Sequence, residues 1–211
     1  MRRSHAKPLR SPCGRGRSDA NLNASGTDFR EKTVNMETVV LRLAADRLNI
    51  FFPILQKGVT VPAMVGCSLK GLLCDQFAIP ADYVTDRITT VFLDNRPVDD
   101  FDRTVVQDGS RIALSAAMPG LVGATMRRGG FYAALRQGIS HVKESGVSAG
   151  ACGTVRLKLF NLLLTELGPL ILAQGLVLEK GELDELLKNI FSRQEAIPSA
   201  SSRVLLTVLF R

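Results

Sequence analysis

The chain has 211 residues and a mass of 22.9 kDa, with 45% hydrophobic and 22% charged residues. These are the proportions of a folded globular protein with room for one large domain or two small ones. Its formal charge of +7 is unevenly placed: residues 1–35 hold eight lysines and arginines against three acids, so the rest of the chain carries only +2. That leaves no strong basic field on the folded part, which argues against nucleic-acid binding.

Four cysteines, Cys13, Cys67, Cys74 and Cys152, include no CxxC pair, and His5 and His141 are the only histidines beside them. Neither a zinc site nor a disulfide framework is expected, nor any cofactor, and reduced thiols fit a cytoplasmic protein. Cys67 and Cys74 are expected to be small buried apolar residues.

Residues 1–35 lack the apolar segment of a signal peptide. Met1–Ser18 contains Arg and Ser and no acid, a composition with a faint likeness to an organelle transit peptide. The simpler expectation makes Met36 the true start and residues 1–35 a disordered basic extension, in which the sequon Asn23-Ala24-Ser25 has no meaning.

From Met36 the pattern becomes regular. Val39, Leu41 and Leu43 alternate with Val40 and Arg42, predicting a half-buried strand. A second strand lies between Gly58 and Gly66, with Pro62 pointing to an edge or an irregularity. Ser68 stands where an N-cap would, before a helix with Leu69, Leu72, Leu73 and Phe77 at helical spacing. A third strand, Ile88–Leu93, leads into the turn Asp94-Asn95-Arg96-Pro97, and an Asp108-Gly109 turn feeds a strand from Arg111 to Ala117. Strands with one helix on one face of a mixed sheet predict an α+β fold with a single core.

Asp94, Asn95, Pro97 and Val98 at the first turn, and Asp108, Gly109, Ser110, Arg111 and Ile112 at the last hairpin, carry a resemblance over Met36–Gly120. This region resembles the ubiquitin-like β-grasp sulfur carriers, a MoaD/ThiS-like family comprising the small subunit of molybdopterin synthase and the thiazole-pathway carrier. The resemblance implies a β-grasp domain over 36–119, with the Arg111 strand beside the opening strand.

The second half repeats the first. Leu41, Leu43 and Pro53 recur at one spacing as Leu157, Leu159 and Pro169; Leu69, Leu72 and Leu73 recur as Leu183, Leu186 and Leu187; Ala78-Ile79-Pro80 recurs as Ala196-Ile197-Pro198; and Arg87-Ile88 recurs as Arg203-Val204. The opening "VRLKLFNLLLTELGP" of the second copy also resembles the first strand and helix of the molybdopterin-synthase small subunit. Leu183, Leu186, Leu187 and Ile190 share one helical face, and a strand follows over 203–210. Residues 120–153 read as a glycine-rich connector with a short helix, and 154–211 as a second, incomplete β-grasp-like repeat without a counterpart of the hairpin Asp94–Gly120. Its open edge calls for cover, by a strand from the first copy, by another chain in an oligomer, or by the connector. The apolar run Leu159–Leu178 is interrupted by Glu166 and Pro169, which argues against a membrane span.

The carriers of the resembled family end in Gly-Gly, whose carboxylate is adenylated and then converted to a thiocarboxylate. Here the diglycine, Gly129-Gly130, is internal, and Gly120 and Gly123 nearer the strand are not adjacent. Two readings stand. In one, Gly129-Gly130 is a loop before the helix "FYAALRQGIS", and the chain is a non-enzymatic docking or carrier module for a partner enzyme, with Met118, Pro119, Gly120, Gly123, Arg127, Arg128, Gly129 and Gly130 forming the partner-facing segment. In the other, the chain is a precursor cut after Gly130 to free a sulfur-carrier terminus. The resemblance implies an adenylating enzyme or a sulfur-accepting synthase as partner.

Other chemistry is thin. Asp99, Asp100 and Asp102 lack the spacing of a calcium loop and read as solvated; Ser140-His141 has no partnered acid in a recognisable triad context; no Gly-Lys-Ser/Thr ending marks a phosphate loop. No catalytic constellation is expected, and no metal site.

Overall fold

The computed structural model describes residues 36–140, 150–191 and 202–211. The extension 1–35, His141 and Ala196-Ile197-Pro198 lie outside the described residues.

The architecture is mixed α+β, built on one eight-stranded sheet. In chain order the strands are β1 (Glu37–Leu43), β2 (Val59–Val65), β3 (Thr90–Leu93), β4 (Arg96–Pro97), β5 (Arg111–Ser115), β6 (Ala151–Phe160), β7 (Leu176–Glu179) and β8 (Arg203–Phe210). The helices are α1 (Phe52–Lys57), α2 (Leu69–Gly71, continued by a wider turn over Leu72–Gln76), α3 (Ala81–Asp86), α4 (Gly120–Met126), α5 (Leu163–Gln174) and α6 (Lys180–Phe191). Tighter 3-10 turns span Ala45–Phe51 and Phe131–Ile139.

Local chemistry explains most of these boundaries. The Ser68 side chain accepts the Gly71 N–H at 3.1 Å, capping α2, and Leu69, Leu72, Leu73 and Phe77 are all buried. Asp94 and Asn95 both take positive φ, 48° and 67°, the twist that a two-residue hairpin between β3 and β4 requires. On α6, Leu183, Leu186, Leu187 and Ile190 form the buried stripe.

The strand order is β1-β8-β7-β2-β6-β5-β3-β4. It corrects the expectation that the Arg111 strand lies beside the opening strand: β5 pairs in parallel with β6, Ile112 opposite Leu157, while β1 runs parallel to β8, Leu41 opposite Val208. Each half of the chain thus supplies a strand to the other's part of the sheet, β1 beside β8 and β5 beside β6. The physical reason lies in β6. Its inward residues Val155, Leu157 and Leu159 are completely buried, whereas the inward residues of β1 are only partly so. The Asp108 carboxylate accepts the Thr154 N–H at 2.8 Å, the Gly109 N–H donates to the Thr154 carbonyl, and the Arg156 N–H donates to the Ser110 carbonyl. Gly153 permits this approach, because a Cβ there would stand 2.8 Å from the Asp108 carboxylate.

Of the two readings of Pro62, an edge or an irregularity, the second holds. β2 is an interior strand between β7 and β6, yet its pairing with β7 consists of Thr60 opposite Val177. Pro62 lies past that point, where its missing donor breaks no ladder.

Along β2 and β6 alternate residues are buried, so one sheet face carries the core and the other is open. Cys67 and Cys74 are free thiols, only half-buried but packed against the core, and Cys152 on β6 is not free. Among the described residues no helix is long and apolar enough to cross a membrane; α5, inside the apolar run Leu159–Leu178, has 12 residues.

Candidate functional site

The segment leaving β5 is clamped from both halves of the chain. The Thr89 hydroxyl donates to the Ala116 carbonyl at 2.7 Å, and the Asn161 amide, just past β6, donates to the Ala117 carbonyl and to the Ser115 hydroxyl. Pro119 then caps α4 with extended backbone, and Gly120 adopts φ 75°. Gly123 is a steric requirement: a Cβ there would lie 1.8 Å from the Met118 carbonyl oxygen, far inside contact distance.

The two arginines before the diglycine are not equivalent. The Arg128 N–H donates to the Thr89 carbonyl at 2.8 Å, and its guanidinium donates to the Thr85 carbonyl at 2.6 Å while lying 4.2 Å from the centre of the Phe101 ring. Arg127 lines a small cavity with Gly120 and Gly123. Gly129, with φ 62° and open space around its missing Cβ, and Gly130, whose N–H returns to the Arg127 carbonyl at 3.2 Å, complete a tight turn. The Gly130 carbonyl accepts the Ala133 N–H of the following 3-10 helix.

That helix is held by a residue the sequence reading missed. Arg136 is 3% exposed; its guanidinium grips Asp99 through both nitrogens, at 2.6 and 2.8 Å, and donates to the Thr125 carbonyl and the Ser140 hydroxyl. Asp99 therefore serves an ion pair rather than a free acidic loop. Of its neighbours, Asp100 accepts the Asp102 and Arg103 N–H groups, and Asp102 pairs with Lys70 at 3.0 Å. Among the described residues no cluster of metal-ligating side chains occurs.

The connector's other side is apolar and uncovered among the described residues. Leu121 and Val122 on α4, and Phe131, Tyr132, Leu135 and Ile139 on the 3-10 helix in contact with it, are all exposed; Phe131 reaches 92% and Leu135 76%. The apolar letters of "FYAALRQGI" were readable as a helix face, but not which way that face would turn.

On the open sheet face, Phe92, Ala113 and Lys158 stand in one row across β3, β5 and β6. Ser115 and Phe160 pair in an adjacent row, and Met118 and Pro119 close one side of a cavity of about 520 Å³ above them. The predicted segment is thus divided: Met118 and Pro119 border this cavity, Gly120, Gly123 and Arg127 border the smaller one, and Arg128 to Gly130 form the pinned turn.

One further polar tie joins the halves. Glu166 on α5 accepts hydrogen bonds from the Tyr83 hydroxyl and the Arg87 guanidinium of the α3 region. The Tyr83 hydrogen bond, then that of Arg87, holds the Glu166 carboxyl below its ordinary range. Burial, then the hydrogen bond to Glu166, raises the Tyr83 phenol well above its own.

The fold and site define a mixed α+β protein with one continuous sheet and a pinned, apolar-faced connector. No protein-family model, no curated protein and no solved structure matches the chain.

Proposed function

We propose that the chain is a non-enzymatic, ubiquitin-like protein of the sulfur-carrier kind that acts as a docking or carrier module for a partner enzyme. A β-grasp reading is supported by the half-sheet β2-β6-β5-β3-β4, in which a parallel pair is flanked by antiparallel neighbours over helices. A cytoplasmic location belongs to the same reading. The observation that carries the docking role is the connector: Arg128 and Arg136 fasten it to the sheet domain while Leu121, Phe131 and Leu135 face solvent. Exposed apolar side chains held on a fixed scaffold are what a protein partner buries.

Intact-mass measurement of the protein from its host cell tests this. The expected species retains the Gly130–Phe131 peptide bond. A fragment ending at Gly130, with sulfur in place of one carboxylate oxygen, would instead establish a processed carrier and sink the docking role of the intact connector.

A further inference from the structure

The cavity on the open sheet face has a floor of small residues and walls of large ones. Ala113 stands between Phe92 on β3 and Lys158 on β6 in one cross-strand row. Phe160 lies two residues beyond Lys158 on the same face of β6, and Met118 and Pro119 overhang the cavity. A volume of about 520 Å³ falls within the size range of small-molecule sites.

Its electrostatics are one-signed. Arg111 and Lys158 both border the cavity, and among the described residues no carboxylate does. Arg111 is partly neutralised by Asp94 at 3.9 Å. Lys158 is half-buried, borders the cavity from the β6 side with its stem lying over Gly58 beside the Arg156 side chain, and has no ion-pair partner among the described residues. A half-buried lysine beside an aromatic and thioether-lined hollow favours a ligand that brings both a negative group and an apolar body. We infer that this cavity binds small organic monoanions, with the apolar body on Phe92, Phe160 and Met118 and the acidic group at Lys158. The inference rests on the sheet face with Met118 and Pro119 beside it, not on the exposed helix face of the connector, and stands whether or not that helix face docks a partner.

The test uses the full chain and two fluorescent probes that share one apolar body, 8-anilino-1-naphthalenesulfonate and its uncharged analogue N-phenyl-1-naphthylamine. Saturable binding of the sulfonate is expected, tighter than that of the neutral probe and weakened by salt. Lys158→Met keeps an apolar stem and removes the charge; it should weaken the sulfonate about tenfold and leave the neutral probe unchanged, while Lys158→Arg retains binding. Ala113→Phe, which fills the floor, should abolish binding of both probes, with circular dichroism establishing that the variants fold. Equal affinity of the wild-type protein for the two probes overturns the inference without reference to any variant. So does sulfonate binding that survives both Lys158→Met and Ala113→Phe, which would place the probe elsewhere, for instance on the exposed connector helix.

Discussion

Ile112 on β5 pairs with Leu157 on β6, while Leu41, the counterpart of Leu157 in the sequence repeat, pairs with Val208 on β8. Leu157 is completely buried, and Leu41 sits on an edge strand and is partly buried. Leu157→Ala should therefore cost about 2–5 kcal/mol and Leu41→Ala distinctly less. Because β6 lies between strands of the first half while its own half continues on the far side of β2, Leu157→Ala should lower one cooperative transition rather than split it. Chemical denaturation followed by circular dichroism reads both outcomes.

The contact between Gly123 and the Met118 carbonyl makes Gly123→Ala the most disruptive single-methyl change in the connector. At Gly129, where only the positive φ matters, alanine should cost about 1 kcal/mol. Trypsin cleavage at Arg127 and Arg128 should accelerate strongly in the first variant and modestly in the second.

Asp99→Asn leaves the buried Arg136 guanidinium without its counter-charge. A loss of about 2 kcal/mol is expected, as befits hydrogen bonds to a charged group with a partner that is itself partly exposed. If urea melts of Asp99→Asn and wild type coincide, Arg136 does not anchor the 3-10 helix.

Phe131→Ser and Leu135→Ser touch a face that packs against little, so each should leave stability within about 0.5 kcal/mol of wild type. The same pair of changes should reduce self-association or partner capture measured by sedimentation. A large drop in thermal stability would instead show that this face is packed in the folded chain.

The Tyr83–Glu166–Arg87 tie has a definite pH signature. The folded-state pKa of Glu166 is depressed, so its contribution is present above the ordinary glutamate value of about 4 and is lost as pH falls through the lower folded value. The phenol of Tyr83 is shifted the other way; its contribution is complete below the ordinary tyrosine value of about 10 and fades only at higher pH. Glu166→Gln should flatten the acid limb of a plot of Tm against pH while leaving its slope between pH 6 and pH 8, chosen as roughly neutral conditions, unchanged.

Features decided within a few residues were legible in the amino-acid order. Ser68 as a cap, the positive-φ Asp94-Asn95 turn, the leucine stripe of α6 and the limits of β2 between its glycines all follow from short-range sterics and hydrogen bonding. The α+β class follows from the same periodicities. What only the tertiary structure decided was pairing. β1 and β6 present the same alternation of apolar and polar residues, so periodicity alone cannot say which of them sits beside β5; the Asp108–Thr154 contacts and the burial of Leu157 decide it. Likewise Asp99 and Arg136, or Phe92 and Lys158, meet only because distant segments are folded onto one another. An apolar pattern marks a face that can be buried, but whether it is, as it is not for Phe131 and Leu135, and against which neighbour, depends on which of several chemically equivalent surfaces packs most completely.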